Sequence, residues 1–183
     1  MLNDRFPFQR GVSIIESMIV VALVAILLIL ALPAGNEWLS NSRIRTAGDG
    51  MLAGLQLARA EAVRRNAVVE LEITGGNTAG WTIRAGNEVV QSRGAGEGTG
   101  NVVVVTSPGG ATKVSFDGLG RRTANADGSA AINRIAIDLP TSVLPADRTT
   151  NLELRIGVGG QVLICLPDVE GRLNAQDVRK CQN

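Results

Sequence analysis

One carboxylate stands where the surrounding residues tolerate it least. Glu16 follows Arg10-Gly11-Val12-Ser13-Ile14-Ile15 and heads an uncharged apolar run from Ser17 to Gly35. About 20 apolar residues suffice to cross a bilayer, and a carboxylate inside such a segment costs roughly 2.5–3.5 kcal/mol by insertion scales. A charge held at that cost needs a partner. Cleavage after Gly11 would create one: the new ammonium of Val12 lies close to Glu16 in sequence and is able to pair with the Glu16 of another copy. The chemistry indicated is processing followed by assembly. An ordinary secretory signal, with no charge in its apolar region and a small-x-small cleavage site, leaves Glu16 unexplained, as does a plain single-span anchor. The bland alternative for Glu16 is a carboxylate near the cytoplasmic edge that snorkels to the interface.

Gly11-Val12-Ser13-Ile14-Ile15-Glu16 resembles the class III signal of type IV pilins and pseudopilins. The resemblance implies that a prepilin peptidase/methyltransferase cuts between Gly11 and Val12 and methylates the Val12 nitrogen. The usual family pattern has Phe first and Thr-Leu-Ile before the Glu, so Val12, Ser13 and Ile14 depart from it conservatively. Beyond this leader, Leu57-Ala58-Arg59-Ala60-Glu61-Ala62-Val63-Arg64-Arg65-Asn66, the pair Gly80-Trp81, Ser115-Phe116-Asp117-Gly118-Leu119-Gly120-Arg121 and the terminal Cys165 and Cys181 resemble the GspH/FimT/FimU branch of minor pilins. That resemblance implies a low-abundance subunit that primes assembly at the tip of a type IV pilus, serving adhesion and twitching motility. The same branch includes the H-class pseudopilin of type II secretion. The implied partners are other minor pilins and the major pilin, or pseudopilins. Because the extreme tip subunit of a pseudopilus usually lacks the glutamate, Glu16 places the chain beneath a tip.

Arg10, Arg5 and the amino terminus outweigh Asp4, so the positive-inside rule keeps residues 1–11 cytoplasmic and sends everything after Gly35 outward. The expected location is therefore the bacterial inner membrane, single-pass with a periplasmic head, and after assembly the cell-surface pilus or the periplasmic pseudopilus. Histidine and tyrosine are both absent, which removes His-based triads, general catalysis and metal sites. With no Gly-x-Ser-x-Gly motif either, no enzyme and no cofactor are expected. Two cysteines in an oxidising compartment most economically form one disulfide, and a loop between Cys165 and Cys181 would contribute about 3 kcal/mol in the chain-entropy model. Free thiols or half of a metal site are the alternatives.

Basic and acidic residues are nearly balanced, 18 against 17, and scattered, so the charge does not call for a polyanionic partner. Some members of the branch bind DNA through a Gly-Arg-x-Arg element before the first C-terminal cysteine. Here that position reads Gly160-Gln161-Val162-Leu163, without the arginines that would meet phosphates, so a DNA-uptake receptor is kept only as an alternative and nucleic acid is not an expected partner. The stretch Gly94 to Gly100 lacks the Gly-Lys-Ser/Thr ending of a phosphate loop and reads as a loop.

The elements divide the chain into a leader (1–11), a membrane and assembly half-helix (12–35), an amphipathic half-helix (36–66) and a β-rich head (67–183). Pro33 is expected to kink the helix. From Ile44 the spacing Ile44, Ala47, Met51, Leu55, Ala58, Ala62 makes an apolar stripe, Asn66 is a terminator, and Gly48, Gly50 and Gly54 argue for a looser stretch. Trp38 suits a membrane interface or packing between helices. After residue 66 the period changes to two, giving strands at 69–73, 80–85, 88–92, 101–106, 112–116, 133–139, 151–156 and 161–166. The fold class expected is α+β: a long kinked N-terminal helix with a hydrophobic first half, packed on an antiparallel, β-sandwich-like head, the pilin fold.

Overall fold

The computed structural model describes residues 12–167 and 177–181, with residues 30–34 described by their backbone alone. The chain divides into two compact units, Met1–Asn36 and Glu37–Asn183. A single helix, α1 (Ile14–Arg65), contributes to both. Pro33 lies inside its span and does not end it.

In the second unit the predicted stripe is the buried one. Ile44, Ala47, Met51, Leu55, Ala58 and Ala62 are all essentially inaccessible. The three glycines that weaken the helical reading sit on the same stretch because the sheets come too close for a side chain. A Cβ on Gly48 would lie 2.9 Å from Leu152 Cδ1, one on Gly54 would lie 2.7 Å from Trp81 Cε2, and the Arg93 guanidinium occupies the space at Gly50. Each glycine costs the helix up to about 1 kcal/mol relative to alanine, and packing offsets it. Gly54→Ala is expected to destabilise the head by about 1–3 kcal/mol, since the rigid indole must move. Gly50→Ala should be nearly neutral, because the flexible end of Arg93 swings aside; equal denaturant midpoints for the two variants would contradict this account.

The helix stops where Asn66 predicts. Asn66 adopts a left-handed φ of 48°, its N–H donates to Val63 O (3.2 Å), and the Ala67 N–H donates to Ala62 O (3.2 Å). That is the paired closure of a Schellman motif, with asparagine in the position glycine usually takes.

Nine strands follow among the described residues: β1 (Val69–Thr74), β2 (Gly80–Ala85), β3 (Glu88–Arg93), β4 (Val103–Ser107), β5 (Lys113–Phe116), β6 (Arg122–Thr123), β7 (Arg134–Asp138), β8 (Leu152–Ile156) and β9 (Val162–Cys165). They form two antiparallel sheets, ordered β3-β2-β1-β5-β6 and β4-β7-β8-β9. Alternation sets the faces: Leu71 pairs with Ile83 and Val114 toward the core, while Glu70 and Glu72 turn outward. Both sheets and the helix share one apolar core, in which Leu71, Phe116, Ile135, Ile137 and Leu154 are fully buried. The chain is α+β, an N-terminal helix packed on antiparallel sheets.

Two expectations shift. The fourth strand starts at Val103, not at Asn101, because Asn101 has a φ of 67° and leaves the extended region. The two-residue β6 was not expected; a pair of residues is too short to display an alternation. One polar residue of the helix also ties down a distant loop. Asn41 Nδ2 donates to Arg148 O (3.0 Å) and its Oδ1 accepts from the Thr150 N–H (2.8 Å), so the amide pairs with the loop as a strand would.

Candidate functional site: the assembly helix and the head surface

The first turn of α1 is built around Ser13. Its Oγ accepts from the Glu16 N–H (3.2 Å), and its carbonyl accepts from Ser17 N (3.1 Å) and Ser17 Oγ (3.3 Å). Ser13-Ile14-Ile15-Glu16 has the spacing of a capping box, which places a carboxylate on the positive end of the helix dipole. Sequence analysis missed this role of Ser13, although the Ser-x-x-Glu spacing was there to find. Glu16 therefore has a local reason to stand in the first turn, independent of any partner outside the helix. Val12 is exposed just ahead of the helix, and Gly11 lies outside the described residues.

From Ile14 to Ile29 the large apolar side chains are each 48–84% exposed, on every side of the helix. A helix apolar all round is the pattern of a helix buried in its surroundings and not of one facing water. Among the described residues no helix is long and apolar enough to cross a membrane; the stretch with described side chains ends at Ile29, short of about 20 residues.

On the head, three of the singled-out sequence segments meet. Ala58 and Ala62 are buried, which lets the helix end lie close to the sheets. Arg59 Nε donates to Gly120 O (3.0 Å). That carbonyl belongs to a loop organised by Asp117, whose Oδ1 accepts from the N–H groups of Leu119 (3.0 Å) and Arg121 (2.9 Å) and whose Oδ2 pairs with the Arg121 guanidinium (2.9 Å). These bonds, the Arg121 N–H foremost, hold the Asp117 carboxyl below its usual range. Gly160 packs directly against the Gly120 carbonyl.

Glu61 bridges Arg64 (2.6 Å) and Arg65 (2.9 Å), and Arg65 reaches on to Glu88 of β3 (2.7 Å). Hydrogen bonds from Arg64 and then Arg65 hold the Glu61 carboxyl down at about 2. An acid lowered on folding stabilises above the ordinary carboxylate range, so this contribution is lost as pH falls from 4.5 toward 2. The Ala-Arg-x-Glu-Ala motif is thus structural: it fastens the helix end to the 117–121 loop and to β3.

Cys165 and Cys181 are joined, with Cα atoms 4.9 Å apart. The bond clips the C-terminal segment onto β9, where Leu166 N donates to Arg179 O (2.8 Å) and Cys181 N donates to Leu166 O (3.0 Å). Glu153 lies against the two sulfurs, buried to 3% exposure. Both sulfurs are consumed by the disulfide and the carboxylate is taken by arginines, so this cluster is not a metal site. Arg155 Nε donates to Glu153 Oε1 (2.6 Å) and Arg134 Nη1 lies 3.6 Å from Oε2.

A sequence model of the family described as "Type II transport protein GspH" matches residues 47–151, from the second half of α1 through the first sheet and strands β4 and β7 of the second to the residue before β8. The chain belongs to the GspH family. Its members are structural pilin and pseudopilin subunits, not enzymes. The matched residues hold the helix end and the Asp117 loop, while Glu16 and the Cys165–Cys181 bond lie outside them. Two solved structures are similar, both crystal structures of the type IV minor pilin FimU of Pseudomonas aeruginosa (strain PAO1). One is 15% identical and covers 69% of this chain and 93% of its own; the other is 14% identical and covers 67% and 96%; the TM-score is 0.49 for each. At that level the fold rests on this chain's own elements. No curated protein matches the chain.

Proposed function

We propose that the chain is a minor pilin: a filament subunit near the tip of a type IV pilus that helps prime assembly, held in the inner membrane by residues 12–35 before it is incorporated. The observation that carries this reading is the helix segment Ile14–Ile29, apolar on every side, with one carboxylate in its first turn and a compact head following in the same chain. Prepilin peptidase cleaves between Gly11 and Val12 and methylates Val12. The Val12 ammonium then pairs with Glu16 of a neighbouring subunit, which offsets both buried charges and sets the axial register of a helical array. Head surfaces meet other minor pilins and the major pilin. The second reading, an H-class pseudopilin of type II secretion, is favoured by the description of the matching family; the terminal disulfide favours the pilus.

A strain lacking the chain separates the two. Loss of surface pili with normal exoprotein secretion supports the pilus, and normal pili with stalled secretion supports the pseudopilus. For the charge pair, removing one partner of a buried ion pair costs about 3–5 kcal/mol. Glu16→Gln is therefore expected to leave cleavage intact and lower recovery in sheared filaments by at least an order of magnitude, measured by immunoblot. Recovery equal to the wild type would sink the pairing.

A further inference from the structure

Three aromatic rings stand among the described residues, and the fold leaves one of them uncovered. Trp81 and Phe116 are 3% and 0% exposed, whereas Trp38 is 72% exposed. Leu39 beside it is 45% exposed, while Ser40 and Ile44 of the same helix are buried. The helix therefore turns Trp38 away from the core that its neighbours help to build. An indole is a large apolar body with one polar N–H, and leaving it in water forgoes most of what burial would gain.

Trp38 stands at a boundary in composition. The 20 residues 17–36 carry no charge, and Glu16 and Glu37 flank them. Beyond Glu37 the helix carries Arg43, Arg45 and Asp49. About 20 residues cross the hydrocarbon core of a bilayer, so a span seated on this run leaves Trp38 two residues past its outer end. Tryptophan is enriched at that level in membrane proteins, because its ring suits the headgroup layer and its N–H meets polar partners there. The surroundings select lipid over a protein. Along the helix from Glu37 to Ala62 only Trp38 and Leu39 are exposed large apolar side chains, a spot too small for the apolar centre of a stable protein interface.

We propose that Trp38 is a membrane-interface anchor: before assembly its indole lies among the lipid headgroups at the outer end of the span, with Leu39 beside it. The proposal rests on the membrane reading of residues 12–35 given above. Glu16 then marks one edge of the uncharged run and Glu37 the other. Sliding inward draws Glu37 into hydrocarbon and sliding outward draws Glu16 in, and the indole holds the depth between these limits.

The test reads Trp38 by its own fluorescence, in full chain reconstituted into vesicles of phosphatidylethanolamine and phosphatidylglycerol. Trp38→Phe leaves Trp81 as the sole tryptophan, so the difference between wild type and variant is the emission of Trp38; an equal melt shows that the variant is folded. Lipids brominated near the headgroup are expected to quench that emission at least about twofold more than lipids brominated at the chain ends. Equal or stronger quenching by the chain-end bromines would overturn the interface position. Emission that neither bromolipid quenches would overturn the anchor, with acrylamide telling a ring in water, which it quenches, from one packed against a second copy, which it does not. In both cases chain that floats with the vesicles leaves the membrane reading intact. Chain that does not float would overturn that reading and the anchor with it.

Discussion

Gly160→Ala is expected to destabilise the head by about 2–5 kcal/mol, from two separable causes. Gly160 has a φ of 76°, and a left-handed backbone costs an L-residue roughly 1–2 kcal/mol. Its missing side chain also faces the Gly120 carbonyl, so a Cβ there would collide with backbone that is itself fixed by Arg59. Overpacking of that kind adds about 1–3 kcal/mol. Gly128→Ala supplies the control, since Gly128 has nearly the same φ, 75°, with nothing near the position of a Cβ. Denaturant melts should show Gly128→Ala paying the backbone cost alone. Equal losses for the two would mean that the contact with the 117–121 loop does not hold the head together.

Replacing Cys165 and Cys181 by serine is expected to remove about 3 kcal/mol, the chain-entropy value for a loop of this size. In a chain of this length that corresponds to a fall of roughly 6–12 °C in melting temperature. The loss has a local counterpart, because the clip is what keeps the Arg179–Cys181 segment paired with Leu166. Mild reduction of the wild type should reproduce the serine variant. A melt unchanged by either treatment would show the bond to be irrelevant to stability.

Much of this was legible because period and burial coincide. The stripe from Ile44 to Ala62 recurs every three or four residues and is the buried face; Val69, Leu71 and Ile73 alternate and point inward. Asn66 ended the helix because a short amide tolerates the left-handed turn. The less legible features depend on contacts far apart in sequence. Gly48, Gly50 and Gly54 read as flexibility, yet each is a close approach whose partner lies at least 27 positions away, Trp81 for Gly54. The Ala-Arg-x-Glu-Ala motif gave a family and not a reason, because the reason is Gly120 and Glu88. The arginine pair over Glu153 was hidden for the same cause: residues 134, 153 and 155 look scattered until β7 and β8 are set in register.

The proposed subunit is cut after Gly11 and built into a filament through Glu16. Intact-mass analysis of the chain recovered from sheared surface filaments tests this most directly. The account predicts a subunit beginning at Val12 with one added methyl group on its nitrogen. Full-length chain beginning at Met1 and found only in the cell membranes would contradict it.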